Sequence, residues 1–165
     1  MSLKLALDRL DRVRRYTLAL VADIEDPLWF TMPPGCPTHV AWQVGHLAMA
    51  EYAAGLMRVR GAQPGDRDII SREFRKQFSK GTIPSADPHS GPSPVEILDV
   101  LSAVHAQLML EAPQFDEADL EQPLAAPHEM FTTKLGALLF VADHEMLHAG
   151  QIGLLRRMLG KPPLR

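Results

Sequence analysis

Residues 133–160 read TKLGALLFVADHEMLHAGQIGLLRRMLG, and this stretch sets the class of the protein. Steps of three and four residues pick out Ala137, Val141, His144, His148, Gln151, Leu155 and Met158, an otherwise apolar stripe at the α-helical period. Thr132 or Thr133 suits the start of such a helix as a cap. Gly160 suits its end, Arg156 and Arg157 match the negative end of the helix dipole, and Pro162-Pro163 forbid continuation. A helix running to about Leu159 follows.

Outward from that helix, three more segments carry the same period, and none alternates as a strand does. Leu3, Leu7, Leu10, Val13, Thr17, Leu20 and Ile24 form one stripe from about Leu3 to Ile24, with charges opposite. Pro27 and then Met32-Pro33-Pro34-Gly35-Cys36-Pro37 end that helix and form a connector. Thr38 is expected to cap a second helix from His39 to about Arg60, closed by Gly61. A long connection rich in glycine and proline follows from Gly61 to Gly91, with room for one short helix over Asp68 to Phe78. Connections longer than ~15 residues are uncommon in compact domains, so this one is expected to cross the molecule or cover something. Ser93-Pro94-Val95-Glu96 is a capping box, and the third helix places Leu98, Leu101, His105, Leu108 and Ala112 on one face. A loop from Pro113 to Phe131 leads back to the last helix. The reading is an all-α four-helix bundle with a long crossover between helices two and three.

Composition agrees with one folded domain over residues 1–165. A hydrophobic fraction of 46% with 22% charged residues is ordinary globular usage, which argues against disorder. The net charge of -3 supplies no electrostatic footprint for nucleic acid or an anionic membrane. The longest run free of charge, Leu135 to Ala142, falls far short of the ~20 residues that span a bilayer. Asp8, Arg9, Asp11, Arg12, Arg14 and Arg15 break up any signal-peptide core. Cys36 is the single cysteine and has no internal partner, so a reducing, cytoplasmic location is expected.

The chemistry concentrates in His144-Glu145-Met146-Leu147-His148. Histidines four apart lie one helical turn above each other and reach one metal ion. The local pattern is that of zinc proteases, but those enzymes take a third ligand from further along the chain, and no His, Asp, Glu or Cys follows His148. His46 is the other interior candidate, on a stripe with Trp42, Met49, Ala50, Ala53 and Met57. At 1.5 Å per residue it lies ~12 Å inside its helix and His148 ~17 Å from the end of the last one, so antiparallel packing brings them to one depth.

Trp42-Gln43-Val44-Gly45-His46-Leu47-Ala48, followed by His144-x-x-x-His148-Ala149-Gly150-Gln151-Ile152 and Leu155-Arg156-Arg157-Met158-Leu159-Gly160, resembles the DinB/YfiT-like superfamily across essentially the whole chain. The resemblance implies up-down-down-up topology, a homodimer, and a divalent metal held by His46, His144 and His148. It also implies a transferase or isomerase that acts on a small-molecule substrate with a low-molecular-weight thiol. Imidazole suits zinc, nickel or iron alike. Three neutral imidazoles leave positions on an ion open for a thiol or a water. Gln151, Glu145 and His105 are the candidates for catalytic roles, Glu145 or His105 as the general base if the reaction is instead a metal-assisted hydrolysis. A non-catalytic, dimeric metal-binding or stress-response module is the remaining alternative.

Other residues read as structural. His39, His89 and His128 are expected at the surface, Met49, Met57, Met146 and Met158 as core filler, and Arg72-Glu73-Phe74-Arg75-Lys76 as a solvated face. Cys36 lies ~15 Å of axial rise from His46, too far to serve as a ligand.

Overall fold

The computed structural model describes residues 2–164, most of them helical. Helix α1 (Leu3–Val21) is capped by Ser2, whose hydroxyl accepts from the N–H of Leu5. It stops one turn short of the predicted Ile24 and gives way to a 3-10 helix over Asp26–Phe30. The indole N–H of Trp29 donates to the carbonyl of Ile24 and closes that corner. Helix α2 (Val40–Glu51) passes into a π-helix over Tyr52–Met57 and then into α3 (Arg58–Arg60), ended by Gly61 at φ +81°. Its cap is His39, not Thr38: the His39 ring accepts from the Trp42 N–H, and Thr38 is engaged by Gln43 instead.

The long connection holds α4 (Asp66–Ile69) and α5 (Arg72–Gln77) rather than one helix, because Ile70 is extended at φ -152° between them. Helix α6 (Pro94–Glu111) begins with both bonds of the expected Ser93–Glu96 capping box. The predicted loop before the last helix contains α7 (Glu117–Leu120) and an antiparallel hairpin, β1 (Pro123–His128) with β2 (Phe131–Thr133). That hairpin corrects the strand-free reading. Pro123-Leu124-Ala125-Ala126-Pro127 neither alternates nor avoids proline, and no Asn-Gly or Asp-Gly marks the turn, so the usual signals are missing. Helix α8 (Lys134–Met158) is capped by Thr133. No helix among the described residues is long and apolar enough to cross a membrane.

Helix α1 packs on α8, and α2 packs on both α6 and α8. Along the first pair Arg9 meets Asp143 and Arg14 meets Glu145, while Arg156 bonds the carbonyl of Leu20. Along α2 and α6 His105 meets Glu51, and Arg60 at the end of α3 meets Glu111. The π-helix shifts the register after Glu51 by widening the turn. Met57, placed on the His46 stripe by a 3.6-residue period, therefore ends 38% exposed, and Leu56 is buried in its place. Met146 and Met158 are also exposed rather than core filler, and only Met49 packs against the core.

The interior is not purely apolar. Arg14, Glu51 and Glu145 are each buried almost completely. Arg14 grips Glu145 with Nε and Nη2, both at 2.9 Å, reaches Glu51 from Nη2 at 2.7 Å, and donates from Nη1 to the carbonyl of Leu101 at 3.1 Å. His105 completes the set with a 2.9 Å bond from Nδ1 to the other oxygen of Glu51. One guanidinium thus ties α1, α2, α6 and α8. Burial works against the charge on Arg14, but Glu51 and Glu145 overcome it and hold its pKa above the ordinary value. Burial likewise pushes Glu51 upward, and Arg14 with His105 brings it below the usual carboxylate range.

Breaking such a set from one side leaves uncompensated charge in the core. Arg14→Met is expected to lower the unfolding free energy by about 3–5 kcal/mol. Loss of the exposed Lys4–Asp8 pair is expected to cost less than about 1 kcal/mol, both read from urea denaturation.

Candidate metal centre

Helix α8 carries His144 and His148 one turn apart, and α2 brings His46 against them. The ring centroids lie 5.2 Å (His46–His144), 4.9 Å (His46–His148) and 4.5 Å (His144–His148) apart. One ring nitrogen from each lies within 4.8 Å of the other two. His46 and His148 are buried and His144 is half-buried, so the cluster opens outward on the His144 side.

Local bonds decide which nitrogens are free. His46 Nδ1–H donates to the carbonyl of Phe78 at 2.7 Å, which leaves Nε2 as its bare donor atom. His148 Nδ1–H donates to Gln43 Oε1 at 2.5 Å. The Gln43 amide is oriented by its own 3.1 Å bond from Nε2 to the hydroxyl of Thr38. The Nε2 atoms of His144 and His148 then stand 3.2 Å apart. Two nitrogens bound at ~2.0–2.1 Å to one tetrahedral ion lie about 3.3–3.4 Å apart, so the α8 pair is already at ligand spacing. Carbonyl acceptors behind metal-binding imidazoles fix tautomer and ring angle. On donor type, spacing and tautomer, the three residues fit a divalent ion.

His46 is held on its face as well, stacked on Trp42 with centroids 4.8 Å apart and planes 7° from parallel. The Trp42 indole donates to Thr82 Oγ1 at 2.9 Å. Gly45 lets the connection approach: a Cβ there would fall 2.5 Å from the Phe78 ring. The residues between α5 and α6 therefore cover the back of the site, as the length of the connection led one to expect. His39 is buried, not on the surface, and its Nε2–H donates to Ser85 O at 2.9 Å. His128, half-buried rather than a surface residue, stacks on Phe131 in the hairpin, and Phe140 lies between that pair and His144.

The proposed catalytic candidates lie elsewhere. Glu145, a candidate general base in the sequence, points into the core and is gripped by Arg14. His105 is bound to Glu51 in the same network. Gln151, expected on the interior stripe, is exposed. Gln43 and the Phe78 carbonyl support the histidines directly and carried no role in the sequence reading. Gln43 could have been found, because it sits three residues before His46 on the same helix; a main-chain carbonyl leaves no signal.

Burial pulls the histidines toward neutrality. His148 falls to about 3 through desolvation and then the neighbouring His144 and His46. His144 falls to about 4 through desolvation, His46 and His128. Desolvation also lowers His46 and His39, against the bonds to Phe78 and Ser85. All four take up protons more readily when unfolded, so stability is full above the ordinary histidine pKa and declines as pH falls below it. Urea denaturation of metal-free protein is expected to show a loss of stability from about pH 6.5 down to 5, ahead of carboxylate protonation. His148→Gln is expected to flatten that slope.

The model of the DinB superfamily matches residues 9–152. The crystal structure of a conserved protein from Enterococcus faecalis superposes with a TM-score of 0.75 at 20% identity, over 96% of this chain and 97% of that one, which is a likeness of fold. No curated protein matches the chain. With the family model running from the first helix to beyond His148, the chain belongs to the DinB superfamily.

Proposed function

We propose that this protein is a metal-dependent enzyme in which His46, His144 and His148 hold one divalent ion through their Nε2 atoms. A low-molecular-weight thiol then attacks a small electrophilic substrate, in a transferase or isomerase reaction. The observation that carries the reading is the convergence of three imidazoles, with the outer nitrogens of His46 and His148 engaged by Phe78 and Gln43 so that their Nε2 atoms face His144. A divalent ion bound there, whether zinc, nickel or iron, would lower the pKa of a thiol and supply a nucleophile at neutral pH.

The chain's own groups do the positioning. Phe78 and Gln43 fix the two buried rings, and Trp42 keeps His46 from turning. The half-buried side of His144 is where substrate approaches, beside Phe140 and His128. Metal-assisted hydrolysis is less well supported, because Glu145 has both oxygens on Arg14 and is only 1% exposed.

The wider reading is one domain over residues 1–165, folded up-down-down-up and acting as a cytoplasmic homodimer. For the topology, contacts along α1 and α8, and along α2 and α6, support parallel pairs. Gln43 beside His148 and Gly55 beside Val141 support an antiparallel α2 and α8.

Elemental analysis of purified protein is expected to find one divalent ion per chain, removed by His148→Ala, and thiol transfer to an electrophile is expected to vanish with it. A wild-type protein that neither holds nor gains zinc, nickel or iron would sink the proposal. Gly45→Ala is expected to push the Phe78 ring away and weaken metal affinity by about 10–100-fold, as loss of a partner behind a ligand does. Circular dichroism should find its helix content unchanged.

A further inference from the structure

A second cleft, of about 490 Å³, lies along α2 beyond the metal centre, between the π-helix, α4 and α5. Tyr52, Gln63, Asp66, Arg67, Ile70 and Arg75 line it. Its one carboxylate is fully engaged. Asp66 takes both Arg60 Nη2 at 2.7 Å and Nη1 at 3.1 Å, the Tyr52 hydroxyl at 2.9 Å and the Gln63 N–H at 2.9 Å. Arg60 in turn is bound to Glu111.

The two remaining arginines are different. Neither Arg67 nor Arg75 has an ion-pair partner among the described residues. Arg75 lies with its guanidinium carbon over the Tyr52 ring, 5.1 Å from its centre, a cation–π contact. Its Nε is buried and has no hydrogen-bond partner. A guanidinium seated over an aromatic ring, with no side-chain donor committed to a protein acceptor, is available to an oxyanion; two parallel N–H···O bonds are its strongest use. A cation has no ligand here, because the only carboxylate is already neutralised.

We propose that this cleft is an oxyanion site, in which Arg75 takes a phosphate or carboxylate group two-pronged and Arg67 adds a second positive charge. It is separate from the histidine cluster and does not depend on what that cluster does. The chemistry shared by its ligands is a compact, doubly oxygenated anion. Such an occupant would also brace α5, whose chain runs on directly into Phe78 and the carbonyl that holds His46.

The test is isothermal titration of the purified full chain with inorganic phosphate and separately with acetate, at constant ionic strength against a chloride control. Wild-type protein is expected to bind one phosphate with a dissociation constant of about 1 mM, the range for a partly solvated charge-assisted contact. Arg75→Gln is expected to weaken it at least ten-fold and Arg67→Gln several-fold. Arg12→Gln, an exposed arginine on α1, is expected to leave it unchanged, as is His148→Ala. The Arg75 side chain makes no hydrogen bond, so its replacement is expected to fold, and Arg67→Gln gives an independent reading at an exposed position. Tighter phosphate assigns the natural occupant to phosphate-bearing molecules and tighter acetate to carboxylates, both within the proposal. Phosphate and acetate binding no better than chloride would overturn it. So would binding that survives Arg75→Gln but disappears in His148→Ala, which would put the anion on the metal centre.

Discussion

One guanidinium organises the interior. Arg14 binds Glu145, Glu51 and a carbonyl of α6, and Glu51 binds His105, so four helices meet at charges that have left water entirely. Buried ion networks are poor sources of net stability, because apolar residues of similar volume hold helices about as well. Their distinction is angular. An apolar stripe tolerates rotation of a helix by several degrees, while a two-pronged bond to Glu145 does not. Glu145 lies ~100° around α8 from His144, so fixing the glutamate toward α1 turns both histidines toward α2.

The same division of labour continues around the histidines. Each buried ring is held from behind by an oxygen that belongs to another part of the chain. Phe78 comes from the connection after α5, and Gln43 from α2 by way of Thr38. The connection between α3 and α6 is thus part of the site's wall. Through Thr82 and Ser85 it also pins Trp42, in the first turn of α2, and His39, its cap. Glycine at position 45 is the concession that lets this segment lie so close, since any larger residue would occupy the space of the Phe78 ring.

Much of this was legible in the sequence, and the exceptions have physical reasons. Apolar spacing fixed the long helices, and the Ser93–Glu96 capping box and Gly61 marked two of their ends, because those signals are local. His46 and the α8 pair were found because polar residues on an apolar stripe stand out. Arg14, Glu51 and Glu145 were not, since a charged residue reads as solvated unless its partner is known, and Arg14 and Glu145 lie 131 positions apart. The π-helix was invisible for a related reason: nothing in Tyr52-Ala53-Ala54-Gly55-Leu56-Met57 announces a wider turn, yet it moves Met57 off the predicted stripe. Gln151 was misplaced at the other end, where Ala149, Ile152, Leu155 and Arg156 are the residues turned inward and Gln151 faces out.

The letters His-Glu-x-x-His carry different chemistry on different scaffolds, and burial of the glutamate bears on the reading proposed for this one. In a hydrolytic site the glutamate must reach the water it deprotonates, which requires an exposed carboxylate on the same side as the histidines. In this chain the carboxylate is turned ~100° around the helix from His144, into the core, with both oxygens on the buried Arg14. A nucleophile at this site must arrive already prone to ionise once it meets a cation. A thiol meets that condition far better than water, because its ordinary pKa of ~8.5 lies some seven units below that of water. The placement of one glutamate thus bears on the proposed thiol reading, which needs no carboxylate base beside the histidines.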